Sequence, residues 1–145
     1  MFRTARAKPQ QHVFVFDSQA LSKVVHGNRE LVALVGTAPR PGISIVSSSL
    51  MTLEAWDPRE TSKQALWNWT LSRIRTVLTD DQVATMARDM LKAAGLPGHK
   101  YTIDTVLTAV AGREAVRGAE ATVFTSGTHD MIQLLVGHPV RVEKI

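Results

Sequence analysis

Asp17, Glu54, Asp104 and Asp130 are the residues whose type and placement can do chemistry. Asp17 directly follows the apolar stretch HVFVF (12–16), and Glu54 lies in the segment after ISIV (43–46). Asp104 opens a long helical segment, and Asp130 comes soon after TVFT (122–125). In an open parallel sheet, ligands bind beyond the carboxyl ends of the strands. Carboxylates converging there from four segments repel one another unless a cation neutralises them, and hard oxygen donors suit Mg2+ or Mn2+. One or two ions held this way activate water and stabilise the charge developing on a transferring phosphoryl group. The same residues also admit a plain reading. Asp17, Asp104 and Asp130 fall near predicted helix starts, where Asp is favoured as a cap and by the helix dipole, and Glu54 reads equally as an exposed helix residue. The pattern alone leaves both readings open.

Other chemistries find less support. GLPGHK (95–100) lacks the spacing of a phosphate-binding GxxxxGK[ST] loop and does not follow a strand, and no GxGxxG stretch occurs. The histidines at 12, 26, 99, 129 and 138 show no HExxH or related zinc spacing. His129, beside Asp130, reads as a surface residue. No GxSxG elbow is present. The absence of cysteine excludes disulfides and thiolate metal sites.

The elements that must position the four acids follow from periodicity. HVFVF is apolar, aromatic and β-branched, which predicts a buried strand. Asp17-Ser18 caps a helix carrying Leu21, Val24 and Val25, and 28–35 continues helical to a stop at Gly36. After the loop signal PRPG (39–42), Ile43–Val46 predicts a second strand and 47–54 a turn and helix, ended by Trp56-Asp57-Pro58. Trp67, Leu71, Ile74 and Leu78 recur at helical spacing, so 61–78 is expected to be one amphipathic helix. Thr79-Asp80-Asp81 caps the next helix, whose stripe includes Val83, Ala87 and Met90 and which Gly95 ends. Trp67, Trp69, Met86 and Met90 read as helix-packing core rather than a cofactor pocket. A helix over 103–116, a strand over 122–125, a short helix over 129–135 and a last strand over 140–143 complete the chain. Short apolar strands alternating with helices predict a three-layer α/β sandwich with a mostly parallel central sheet.

A length of 145 residues suits one domain. The formal charge of +4 invites a nucleic-acid partner, but Arg3, Arg6 and Lys8 sit in an opening segment, 1–11, that holds no acid. Without them 14 basic residues face 13 acidic ones, so the basic character belongs partly to this arm, whose plainer reading is a solvated tail. The domain is expected over 12–145. No apolar run approaches the ~20 residues that cross a bilayer, and no secretory leader is evident. The expected compartment is the cytoplasm.

The segments also line up with a known family. VFVFDSQAL (13–21) resembles the opening of a PIN domain, and SSLMTLEAW (48–56) its second motif, a small-residue turn into a helix that carries Glu. MLKAAGLPGHKYTIDTVLTAVA (90–111) is similar to the stretch of VapC-like PIN domains where a Gly/His loop precedes Ile-Asp and an alanine-rich helix. TVFTSGTHDMIQLL (122–135) resembles the fourth motif. Order and spacing agree over about 12–145. The resemblance implies a PIN-like α/β/α fold and a Mg2+- or Mn2+-dependent endoribonuclease, with Asp17, Glu54, Asp104 and Asp130 as metal ligands. It implies that Thr125 supplies a hydroxyl to the site, and that the protein is the toxin of a toxin–antitoxin pair, with RNA as substrate, a cognate antitoxin and a homodimer. The chain departs from the pattern at Gly127, where the family often has Asp or Asn. The alternative is a non-catalytic PIN-like module that binds RNA or protein through a degenerate metal site.

Overall fold

Strand β1 (His12–Phe16) buries Val13, Val15 and Phe16 and half-buries Phe14, so both of its faces are covered. Such a strand reads as a continuous apolar run because helices lie on either side of it. The computed structural model describes residues 10–38 and 40–145; of the basic arm expected over 1–11, only Gln10 and Gln11 fall among them. β1 is the centre of a five-stranded sheet of order β3-β2-β1-β4-β5, with β2 at Ile43–Ser48, β3 at Arg75–Val77, β4 at Glu120–Thr125 and β5 at Val140–Lys144. Every pairing in it is parallel. Phe124 of β4 meets the edges of Phe14 and Phe16 at 5.7 and 5.4 Å.

Among the described residues seven helices cover this sheet: α1 (Ser18–Val25), α2 (Arg29–Gly36), α3 (Ser49–Ala55), α4 (Gln64–Arg73), α5 (Asp81–Ala94), α6 (Gly98–Val116) and α7 (Thr128–Leu134). Helix α1 packs with α2, α3 and α4, while α5, α6 and α7 pack with one another. Side-chain caps set several starts, at Asp17, Asn28, Ser48 and Asp80. Gly95 closes α5 in the left-handed region at φ 67°, a conformation that costs glycine little. Trp67 and Met90 are buried, and Trp69 and Met86 pack half-buried against the core, as helix-packing residues do.

Two elements differ from the sequence expectation. The span 61–78 is not one helix: a 3-10 turn at Thr61–Lys63 precedes α4, and Arg75–Val77 forms the edge strand β3 beside β2. Leu71 and Leu78, half of the supposed apolar stripe, are 36% and 73% exposed, so the spacing was helical without marking a buried face. Helix α6 begins at Gly98 rather than 103, with a break at Tyr101 (φ −117°, ψ 16°). Asp104 therefore opens the helix beyond the break rather than the element as a whole.

Candidate active site

The end of β1 hands the chain to α1 through Asp17, only 5% exposed. Its backbone is extended and its Oδ1 accepts the Ala20 N–H at 2.8 Å, so the capping reading of Asp17 holds in full. The cap does not exhaust the carboxylate. On the neighbouring strand the Thr125 hydroxyl is buried, accepts the Gly127 N–H at 3.0 Å and lies near enough to Asp17 to oppose the rise of its carboxyl pKa. Glu54, near the end of α3, reaches back so that Oε1 accepts the Ser18 hydroxyl at 2.5 Å. Ser48, which caps α3 through Met51 N–H, and Ser47, which donates to the Phe16 carbonyl at 2.7 Å, hold this turn against β1. Asp104 comes three residues after the Tyr101 break, and Asp130 lies in the first turn of α7. Neither is a cap.

All four carboxylates, with Thr125 and Gly127, line one cavity of about 450 Å³ beyond the carboxyl ends of β1 and β4. The burial of Asp17 raises its carboxyl above the ordinary range, against the opposing hydrogen bonds from Thr125, Ala20 and Gln19, and the Glu54 charge adds to the rise. Asp104 is raised first by burial and then by the charges of Glu54, Asp17 and Asp130. Mutual repulsion of this kind marks carboxylates that share a site without a counter-charge. Among the described residues no Lys, Arg or His stands within ion-pair distance of any of the four.

His99 and Lys100 also line this cavity, and sequence reasoning assigned neither a role. Lys100 stands four residues before Asp104, on the other side of the Tyr101 break. Its ammonium rests over the Tyr101 ring, 5.5 Å from the centroid. His129 is exposed and does not line the cavity.

The donor set suits a hard divalent ion, with a restriction. Among the described residues no three His, Asp or Glu side chains converge as a closed ligand cage. Mg2+ retains several waters and needs only one or two direct carboxylates, so the residues fit a hydrated ion. Gly127 supplies no ligand, yet its φ of −97° is ordinary and a Cβ there would meet only the Thr125 hydroxyl, at 3.9 Å.

Solved structures share this arrangement of elements over most of the chain. VapBC from Salmonella typhimurium bound to DNA matches with a TM-score of 0.64 and 18% identity, over 92% of this chain and 98% of that one. VapBC2 from Rickettsia felis bound to a DNA fragment from their promoter matches at 0.63 and 16%, over 91% and 98%. VapBC-1 from nontypeable Haemophilus influenzae matches at 0.60 and 15%, over 91% and 97%. The fold is that of the PIN domain. No family model and no curated protein sequence matches the chain. The PIN fold places the ends of β1 and β4 side by side (Phe16 pairs with Phe124), which brings Asp17 and Thr125 together across 108 residues of sequence. No helix among the described residues is long and apolar enough to cross a membrane.

Proposed function

We propose that this chain is a Mg2+- or Mn2+-dependent endoribonuclease that acts as the toxin of a toxin–antitoxin pair. The observation that carries the reading is the set of carboxylates from four segments lining one cavity, with no cation paired to them among the described residues. A bound divalent ion supplies positive charge opposite the scissile phosphate and lowers the pKa of water. Asp17, fixed by the Ala20 N–H with the Thr125 hydroxyl nearby, would be the most rigid ligand, and Asp104, Glu54 and Asp130 would hold the ion directly or through water. Lys100 and His99 grip the phosphate backbone, which four carboxylates would otherwise repel. The fold shared with VapBC structures supports a cognate antitoxin; a homodimer and a cytoplasmic location belong to the same reading.

The absence of a side chain at Gly127 favours one other reading, a non-catalytic RNA- or protein-binding module. Incubating a mixed RNA panel with the protein in Mg2+, Mn2+ or chelator separates the two. Cleavage that needs metal and falls about 100-fold or more in Asp17→Asn is expected. RNA binding with no cleavage in any metal would establish the module instead.

A further inference from the structure

Beside the carboxylate cavity lies a larger one of about 620 Å³, and the two share Ser18, Gln19 and Glu54 as walls. Its floor contains Trp56, 40% exposed, whose ring is tilted at 48° to the buried Trp67 with centroids 5.3 Å apart. The loop carrying Trp56 is tied down. Asp57 accepts from both Nε and Nη2 of Arg59 at 2.9 Å, and His26 reaches Glu60 at 2.8 Å. These contacts occupy Arg59 and His26, leaving Lys63 as the cationic wall residue without a carboxylate within 4 Å among the described residues.

We propose that the Trp56 cavity is a nucleotide subsite, taking an unpaired RNA nucleotide next to the scissile phosphate. The inference rests on the nuclease reading of the carboxylate cavity. A strand whose phosphate lies over Asp17, Glu54 and Asp104 continues past Ser18 and Gln19 into the neighbouring space. There a base meets the exposed part of Trp56, and Lys63 meets the following phosphate. Base–aromatic stacking tolerates any base, because every base has a π-face. The amide and hydroxyls of Gln19, Ser18 and Ser22 add hydrogen-bonding groups at the same wall. The volume far exceeds what one base fills, so this subsite selects for an unpaired nucleotide more than for base identity.

The test uses the full chain and short unstructured RNAs, with three readouts: binding by anisotropy in Ca2+, cleavage in Mg2+, and the metal-induced rise in melting temperature. Trp56→Leu keeps apolar bulk and removes the aromatic face, whereas Trp56→Phe keeps a face. Binding of a hexanucleotide is expected to weaken about tenfold in Trp56→Leu and to stay near wild type in Trp56→Phe. Cleavage of the hexanucleotide should show the loss in KM rather than kcat. Inorganic phosphate, which carries no base to stack on Trp56, should be bound alike by all three proteins. The metal-induced melting shift should be unchanged, since no substituted residue belongs to the carboxylate set. Wild-type affinity in a folded Trp56→Leu protein that still cuts RNA would overturn the subsite and leave the nuclease standing. That result would leave the exposed Trp56 as a surface for a protein. No RNA binding and no metal response in the wild type would overturn both.

Discussion

Helix α6 meets opposite electrostatic conditions at its two ends. Towards its carboxyl end Arg113 and Glu114 are almost wholly buried, and each has a partner from another element. Arg113 Nη1 donates to the Asp80 carboxylate at 2.9 Å, and Glu114 Oε1 accepts from Arg75 at 2.6 Å. Towards its amino end Asp104 faces three further carboxylates and, among the described residues, no paired cation. Buried charge is tolerated where partners offset the loss of hydration. The first pair joins α6 to the cap of α5, the second joins α6 to the edge strand β3, and both serve the fold. In the acidic cluster Asp17 caps α1, but the carboxylates also repel one another. Among the described residues no Lys, Arg or His pairs with them.

That contrast predicts effects that differ in kind at the two ends. The largest effect is expected from Arg75→Ala, which leaves the buried Glu114 carboxylate without its partner. Breaking such a pair costs several kcal/mol when both members are buried; with Arg75 about half exposed, a loss of about 2–3 kcal/mol is expected. Chemical denaturation checks it. The metal response at the far end should survive, and an equal loss there would break the separation of the two regions.

A smaller effect, and one of affinity rather than stability, is expected from Gly127→Asp. The backbone at −97° accepts a side chain and the space beside Thr125 is open. A fifth carboxylate in the cavity should tighten Mn2+ binding by about tenfold, measured by calorimetry. Asp130→Asn should then matter less in the Gly127→Asp background than alone, which a double-mutant cycle reads directly. Weaker metal binding in the variant would mean that the cavity rejects further negative charge even with the ion present.

The smallest effect concerns acid. Asp80 is held below the ordinary carboxylate range by the Val83 N–H and then by Arg113. A lowered folded pKa contributes stability that is complete above the unfolded value near 3.8 and is lost as pH falls through the folded value. Asp80→Asn should therefore flatten the decline of melting temperature below about pH 4, where wild-type stability is lost in part through this group. An unchanged acid limb would show that the cap and its arginine do not couple to folding.

Much of this contrast could be read in the sequence, though unevenly. HVFVF-Asp is legible because a strand buried on both faces is apolar at every position and an Asp after it suits a cap. The Asp80 cap and the Gly95 stop are local signals of the same kind. Strand β3 was hidden because three residues are too few to show alternation, and Trp67, Leu71, Ile74 and Leu78 imitate a helical stripe. Only its pairing with β2, a tertiary fact, makes Arg75–Val77 a strand. Asp17, Glu54 and Asp130 were found by their positions after strands and Asp104 by its place at the opening of a helical segment, and the fold does place all four around one cavity. Lys100 and the Trp56 cavity were missed because their significance depends on which segments become neighbours. The partners of Arg113 and Glu114 lie 33 and 39 residues away, and no spacing rule reaches that far.

The most direct test of the central claim is a Mn2+ titration of thermal stability in the wild type, Asp17→Asn and Asp104→Asn. Ions that bind only the folded state stabilise it by about 2.7 kcal/mol at a hundredfold excess over Kd. The wild type should therefore gain several degrees in millimolar Mn2+, with the gain largely lost in both variants. Without metal, Asp104→Asn should melt slightly higher than the wild type, because the neutral amide removes repulsion from Glu54, Asp17 and Asp130. Equal gains in all three proteins, or none in the wild type, would contradict the account.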